Sequence, residues 1–298
     1  ASGGFHFVNE YNLSKPYDIS TRVYAGDSER CQLGDSENNT NGSNPQSALH
    51  DLEFSDDGMM LFTATRNSTD SSDDGDKVFR FDLASPYDVS TCKYAQETTD
   101  LDSEALTQGS KVGSFTFSHS NNRLQSIEFN NDGTKLFLGW TAANGVLEYR
   151  LGAPYDITTL ELVTTAGMDL SGTLSTNQSS MRFSSNGKRL FIASHTNTEQ
   201  SVTQVSLTSP YDTSSFTIDG EFAIEVIDGK DETRGIAFSG NGLKMYTGDD
   251  GLAQIFEFDL TCPFNIIEGN CPAITEGDRT GMAEAQMELA RRTIDHST

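Results

Sequence analysis

A short acidic segment, residues 70–76, carries oxygen-bearing side chains at alternate positions with a glycine beside them, as calcium-binding loops do. The candidate ligands are Asp70, Ser72, Asp74 and Asp76. The position where a bidentate glutamate would complete such a loop is occupied by Phe81. The sequence therefore predicts a weak calcium site here, with an acidic, solvated hairpin tip as the alternative.

The four cysteines form no C-x-x-C pair and have no histidine at zinc spacing, so disulfides are favoured over metal binding. Three pairings are possible. Their positions near repeated structural units favour Cys31–Cys92 and Cys262–Cys271 over the other two connectivities. Disulfides would place the protein in an oxidising compartment, extracellular or at the cell surface, whereas four free thiols would be the cytosolic alternative.

No set of residues typical of a catalytic site is evident in the sequence. The five histidines do not recur at equivalent repeat positions, and no nucleophile elbow, phosphate-binding loop or dinucleotide fingerprint is present. Glu53 and Glu128 occupy equivalent positions, but their counterparts in the next two repeats are Arg182 and Ala237. A ring of metal-binding carboxylates is therefore not predicted.

The net charge of −24 repels phosphate backbones and anionic lipids, so nucleic acid is not an expected partner. The segment opening the chain has neither a charged n-region nor an apolar h-region, and no stretch approaches the roughly 18 apolar residues of a membrane helix. The acidity favours a solvated surface, with attraction of cationic ligands as the alternative.

Two motifs recur along the chain. The first is a strand that ends in a Pro-Tyr-Asp corner. Proline stops the strand, the tyrosine ring covers the end of the sheet, and aspartate accepts backbone hydrogen bonds. It recurs as 11–21, 81–91, 149–159 and 205–215, and in degraded form as 258–265. Repetition at every corner indicates a structural role for Asp18, Asp88, Asp156 and Asp212.

The second motif is an alternating strand that runs through an Asp-Gly or Asn-Gly turn into another strand, which predicts a hairpin with a type I′ turn. The turn glycines are Gly58, Gly133, Gly187 and Gly242. The alternating apolar residues before them point to one face that only a neighbouring sheet can cover. Together, the two motifs predict the four-stranded blade of a propeller.

We therefore predict an all-β propeller over residues 1–272, followed by a helical tail or linker over 273–298. Four hairpins and five corners favour five blades, one of them built from both chain ends, and four blades are the alternative. In the tail, the run 282–294 consists largely of strong helix formers and predicts a short C-terminal helix.

The repeats F-S-x-D-G-x-K-L-F and Y-x-L-S-x-P-Y-D-I-S-T, over residues 5–267, resemble the tandem propeller repeats of secreted and surface proteins of marine bacteria and their phages. More distantly they resemble the lactonase-like seven-bladed propellers. The tail is similar to the helical stretch that precedes the membrane barrel of some autotransporters. This resemblance implies the exported passenger of a longer precursor, with a C-terminal membrane barrel as partner.

On these grounds the sequence favours a non-enzymatic extracellular propeller for adhesion, surface display or ligand binding, with a glycan or protein as ligand. The alternative is a hydrolase or lyase that acts on a lactone or polysaccharide at the channel mouth. An enzyme should show clustered carboxylates with perturbed pKa values in its channel, whereas a display module should have a channel filled by side chains.

Overall fold

We describe the fold from a computed structural model, which is all-β and has no helix longer than one short turn in the residues that it describes. These residues are 6–33, 49–65, 76–99, 101, 111–116, 123–141, 144–174, 177–196, 199–224, 233–249, 254–267 and 293–294. Among them no helix is long and apolar enough to cross a membrane.

The strands are numbered in chain order, and three single-turn 3-10 helices, Ile19–Thr21, Val89–Thr91 and Ile157–Thr159, follow the first three corners. The strands are β1 His6–Asn9, β2 Tyr11–Leu13, β3 Arg22–Tyr24, β4 Arg30–Leu33, β5 Leu49–Phe54, β6 Met60–Thr65, β7 Lys77–Asp82, β8 Lys93–Glu97, β9 Lys111–Val112, β10 Phe115–Thr116, β11 Leu124–Phe129, β12 Lys135–Trp140, β13 Gly145–Leu151, β14 Leu160–Asp169, β15 Asn177–Phe183, β16 Arg189–His195, β17 Gln200–Leu207, β18 Phe216–Ile224, β19 Thr233–Phe238, β20 Lys244–Asp249, β21 Gln254–Asp259 and β22 Thr293–Ile294.

Four antiparallel sheets form the blades of a propeller, and within each blade the strands follow chain order. Blade 1 is β5–β8, blade 2 is β11–β14 and blade 3 is β15–β18, while blade 4 is the three-stranded sheet β19–β21. The predicted propeller is confirmed with four blades; five are not confirmed. Contiguous apolar clusters fill the spaces between successive blades, as in the contact of Phe191 with Phe238, whose ring centroids lie 4.4 Å apart.

The hairpin turns lie at the predicted glycines, but they are not type I′. Only the glycine of each turn has positive φ, between +67° and +69°, and the preceding Asp or Asn does not. In blade 1 the loop is longer than two residues, because Ser55 N donates to Met60 O at 3.0 Å. Ser55 Oγ also accepts from Met60 N, so a side chain closes a loop that backbone geometry alone closes in a type I′ turn.

The corners are built as predicted. Asp18, Asp88 and Asp156 each cap a 3-10 helix and accept from the backbone N–H two residues later. The corner aromatic residue has positive φ in all five cases and in blades 1 to 4 lies directly against the turn glycine of its own blade, where any added Cβ would lie within 2.6 Å of the ring. The contact requires glycine at the turn for two reasons, backbone conformation and space.

The first strands lie beside blade 4 at one side and blade 1 at the other. Tyr246 of blade 4 donates to the backbone oxygen of Tyr17 at 2.6 Å, much as Lys135 of blade 2 donates to Tyr211 O of blade 3 at 2.6 Å. On the other side, Val8, Cys31 and Leu33 pack in the apolar cluster of blade 1. The N-terminal corner therefore meets its neighbour as the corner of a following blade does.

The two ends of the chain meet in one sheet of order β22-β1-β4. Thr293 pairs with Asn9, and Ile294 pairs with Val8. The short helix predicted over 282–294 is not confirmed. Residues 282–292 lie outside the described part, and Thr293 and Ile294 form a strand. Both are β-branched, and in extended conformation they can pair with the edge of β1, which offers them hydrogen bonds.

Candidate functional site

The candidate site is a cluster of charged side chains on the innermost strands, β5, β11 and β15. It consists of Asp51, Glu53, Glu128 and Arg182, each no more than 9% exposed. The innermost strand of a blade has one edge that no strand of its own sheet pairs, so its N–H and C=O groups need partners from elsewhere. The charged cluster supplies them.

The carboxylates accept hydrogen bonds from the inner edge of the next blade. Glu53 Oε2 accepts from Phe129 N at 2.9 Å, and the equivalent Glu128 Oε1 accepts from Phe183 N at 3.1 Å. Asp51 Oδ2 accepts from Ile127 N at 3.1 Å in the same way. Each of these bonds joins two successive blades and satisfies a buried donor that would otherwise cost about 1–3 kcal/mol.

Arg182 supplies the matching donors. Its Nη1 lies 2.6 Å from Glu128 Oε2 and its Nη2 lies 3.4 Å from Asp51 Oδ1. The same two nitrogens donate to the backbone oxygens of Leu52 at 3.0 Å, Ile127 at 3.3 Å and Met181 at 3.0 Å. One guanidinium therefore ties together the inner strands of three blades.

The electrostatics of the cluster follow from burial and from this one cation. Burial raises the pKa of Asp51 to about 6, although Arg182 and the N–H groups of Ile127 and Leu52 oppose the rise. Burial by itself would lower the pKa of Arg182, but the carboxylates of Glu128, Asp51 and Glu53 outweigh it and raise that pKa, so the guanidinium stays charged. Three carboxylates share one cation, which leaves Asp51 able to take up a proton near neutral pH.

Among the predicted disulfide residues, Cys31 and Cys92 are bonded to each other, as the sequence predicted. The bond links β4 of the N-terminal sheet to the corner of blade 1, and Cys31 is fully buried. The second predicted bridge involves Cys262, which is described, and Cys271, which lies outside the described residues. The pairing of Cys262 with Cys271 stays a prediction.

Of the predicted calcium ligands, Asp70, Ser72 and Asp74 lie outside the described residues. Asp76 is described and buried, at 1% exposure, and its Oδ2 accepts from Leu124 N of blade 2 at 3.0 Å. It therefore caps an inner-edge donor, as Glu53 does. Elsewhere in the described ranges, no group of three or more His, Cys, Asp or Glu side chains could hold a metal ion. Calcium binding stays a prediction.

No family model matches the chain, and no curated protein matches it. Among solved structures it is similar to a periplasmic gluconolactonase from Pseudomonas aeruginosa at 13% identity, with a TM-score of 0.49 over 86% of this chain and 78% of that one. It is also similar to a protein from Lactobacillus plantarum at 12% identity, with a TM-score of 0.46 over 87% of this chain and 79% of that one.

Sequence reasoning missed the charged cluster because it looked for one residue type at one repeat position. Glu53, Glu128 and Arg182 do share that position, and the change from acid to base is what completes the network. The signal was the change of charge at this position, because buried acids in two repeats can form ion pairs with a buried base in the third. Asp51 gave no such signal, because its counterparts in the later repeats are Ser126, Ser180 and Gly235.

Proposed function

We propose that this propeller is a non-catalytic extracellular binding module whose inner strands serve as a scaffold and whose surface presents a ligand-binding face. The observation that carries the proposal is the use of the inner carboxylates. Asp51, Glu53 and Glu128 accept from backbone N–H groups or from Arg182, so they hold blades together and the guanidinium occupies the space between them. Carboxylates used in this way have a structural role, which supports a display module over an enzyme.

Export to an oxidising compartment is part of the proposal, as is the passenger role in a longer precursor. Its support is the Cys31–Cys92 bond, since structural disulfides persist outside the reducing cytosol. Thiol alkylation of the native protein followed by mass spectrometry tests this point. All four cysteines should resist alkylation until a reductant is added, and labelling of four cysteines without reductant would refute the compartment.

The binding role is tested with the whole chain on an array of glycans and with extracellular proteins, alongside a hydrolysis assay on a panel of aldonolactones. We expect saturable binding to a subset of the array and no lactone turnover above the rate in buffer. Turnover that survives purification and is lost in Asp51→Asn would contradict the proposal. Absence of any binding on a broad array would contradict it too.

The second candidate function is a hydrolase of lactones or polysaccharides, and one observation favours it. The pKa of Asp51 is raised by burial to about 6, which lies in the range where a carboxyl group can act as a general base. An enzyme of this kind would show a rate that rises with pH around 6 and is abolished by Asp51→Asn. A rate unchanged by that substitution would exclude Asp51 as the base.

A further inference from the structure

Blade 4 has two faces, and one of them is more exposed than its counterpart in blades 1 to 3. Ile236, Phe238 and Met245 form the face that packs against blade 3 in one apolar cluster. Successive residues of a strand point to opposite faces of the sheet, and residues paired across two strands share a face. The other face, which we call the open face, therefore carries Gly235, Ala237, Tyr246, Gly248, Ile255 and Glu257.

Three residues lie side by side across the middle of the open face. They are Gly235, Gly248 and Ile255, which pair with one another from strand to strand. Both glycines are partly exposed, and Ile255 is 36% exposed. In blades 1 to 3 the equivalent residues are all buried, and they are Asp51, Ala64 and Val78, then Ser126, Gly139 and Val146, then Ser180, Ala193 and Val202. Ile255 thus lies where each of the other blades has a fully buried valine.

The first strand of the next blade covers the equivalent position in blades 1 to 3. In blade 2, a Cβ built on Gly139 would lie 2.1 Å from the side-chain nitrogen of Gln178, on the first strand of blade 3. A Cβ built on Gly248 meets only the backbone nitrogen of Gly235 in its own blade, at 3.9 Å. Among the described atoms, a Cβ built on Gly235 meets nothing within 4 Å. A groove therefore lies open on blade 4 where each earlier blade receives a strand.

An aromatic contact is missing from the same face. In blades 1 to 3, a phenylalanine of the second strand contacts the phenylalanine that ends the first strand of the next blade, with ring centroids 4.4 to 4.7 Å apart. Tyr246 holds the equivalent position in blade 4. Within the described part of the chain no ring is in such contact with Tyr246, whose hydroxyl donates to the backbone oxygen of Tyr17. The open face thus lacks an aromatic partner as well as a strand.

The N-terminal strands lack the same hairpin. Together, β1 and β2 correspond to the third strand of a blade, because β2 leads into a Pro-Tyr-Asp corner as β7 does in blade 1. In blade 1, β6 pairs with this third strand over six residues. Among the described residues only Thr293 and Ile294 pair with β1 from that side, and none pairs there with Tyr11–Leu13. One edge of β2 is therefore open to pairing, beside blade 4.

We propose that the open face of blade 4 and this edge of β2 bind a β-hairpin donated by another polypeptide. The first strand of the hairpin would lie over Gly235, Gly248 and Ile255, and its second strand would pair with β2, as in a following blade. The repeat supplies the chemistry of the partner. The hairpins of blades 2 to 4, which cover the preceding blades, all carry Ile or Met, then Phe two residues later, then an Asp-Gly or Asn-Gly turn. A partner with this pattern would place its phenylalanine against Tyr246.

The other sources of a hairpin fit the face less well. In a second copy of the chain, each inner hairpin already pairs with the third strand of its own blade. Two copies would also repel each other, since each has a net charge of −24. Residues 268–292 of this chain contain neither Asp-Gly nor Asn-Gly, so their sequence lacks the turn of the pattern. The inference goes beyond the proposed ligand-binding role and does not depend on the ligand bound there.

The test uses the whole chain and a fluorescently labelled synthetic peptide of residues 123–141, the inner hairpin of blade 2. Fluorescence anisotropy should show saturable binding. A peptide in which Ile127 and Phe129 are both replaced by serine should bind about tenfold or more weakly, because it loses the apolar contacts with the open face. Equal Kd values for the two peptides would overturn the proposal, and so would the absence of saturable binding.

Gly248→Val fills the groove from the side of the chain. Valine suits a strand and the space is open, so we expect normal thermal unfolding and a Kd for the peptide raised by about tenfold or more. The matched control is Gly172→Val, because a Cβ at Gly172 also meets nothing within 4 Å and lies outside the open face. Equal Kd values in the two variants would overturn the site.

A tethered hairpin gives a second measurement that does not require tight binding. Residues 123–141 are fused through a Gly-Ser linker ahead of residue 1, which raises their effective concentration to the millimolar range. This fusion should unfold at least about 2 °C higher than a fusion with the doubly serine-substituted hairpin, and Gly248→Val should remove the difference. Two fusions of equal stability would overturn the proposal.

Sedimentation of the unfused chain separates this partner from a second copy. We expect a monomer, and a dimer that Gly248→Val dissociates would assign the open face to a second copy and overturn the proposal. If the hairpin fails in these tests while the array still shows ligand binding, only the hairpin site is refuted and the proposed function stands.

Discussion

The corners and the inner edges of the blades are built by opposite rules. At the corners the same aspartate performs the same cap in successive repeats and stays partly exposed to solvent, as at Asp18 and Asp156. At the inner edges one repeat position carries Glu53, Glu128 and Arg182 in turn, and all three are buried. The corners thus repeat the same residue, whereas the inner edges combine residues of opposite charge that bind one another.

The two regions also differ in their response to protons. At the corners, hydrogen bonds from the hydroxyl groups of Ser20, Thr158 and Ser214 lower the pKa values of Asp18, Asp156 and Asp212. At the inner edge, burial raises the pKa of Asp51 to about 6. The ionised form of aspartate is therefore favoured at the corners, where hydroxyl groups donate to it, and the neutral form is favoured at the inner edge, where the side chain is buried.

Among the tests of this comparison, the largest change in the free energy of unfolding is expected at Arg182. Arg182→Met should lower the free energy of unfolding by about 5 kcal/mol, because it leaves three buried carboxylates without their cation. Denaturant unfolding measures the change. The matched control is Arg150→Met on the exposed side of β13, where a change within about 0.5 kcal/mol is expected. Equal losses in the two variants would show that the inner cluster has no special role.

The disulfide tests how much the attachment of the N-terminal sheet to blade 1 depends on a covalent bond. Replacing Cys31 and Cys92 by serine should cost about 4 kcal/mol, since the bond closes a loop with a sequence separation of 61 residues. Thermal unfolding of the double variant, compared with that of the oxidised wild-type protein, measures the loss. A double variant as stable as the oxidised wild type would mean that the N-terminal sheet is held to blade 1 by packing alone.

Asp51 gives the inner region its own pH dependence. Because its pKa in the folded state is raised above the unfolded value, its contribution to stability is full below pH 4 and is lost as pH rises through about 6. The loss should be at most about 3 kcal/mol, since each pKa unit corresponds to about 1.4 kcal/mol.

The corner aspartates act in the other direction, and their contribution is lost as pH falls through their lowered folded pKa values. Unfolding measured from pH 4 to pH 8 should therefore show wild-type stability falling between about pH 4 and pH 6 and levelling off above pH 6, and Asp51→Asn should remove this fall. A fall that persists in Asp51→Asn would assign it to another group.

The smallest of these effects concerns the turn beneath a corner. Gly133→Ala should cost about 2 kcal/mol, because φ is +67° there and the new Cβ would lie 2.4 Å from the Tyr155 ring. Gly172→Ala, at a site with open space, is the control and should leave thermal unfolding nearly unchanged. A tolerant Gly133 would show that the corner tyrosine can move aside without loss.

Sequence reasoning succeeded where structure depends on neighbours along the chain. The Pro-Tyr-Asp corner needs only its own ten or so residues to stop a strand, place a ring and cap a turn, so the pattern predicts its geometry. The Cys31–Cys92 pairing was also predicted, from positions near repeated corners. The turn type was wrong, because a serine side chain closes the loop and a dipeptide pattern does not report it.

By itself the sequence determined the propeller, its repeat boundaries and the roles of its corner residues, since these depend on periodicity and on local turn chemistry. Only the tertiary structure decided the number of blades and the pairing of the chain ends, in which Ile294 meets Val8. It also decided the meaning of Arg182, because residues far apart in the chain meet at the ring centre only once the blades are stacked. A charge there depends on what lies opposite, and no local pattern specifies that.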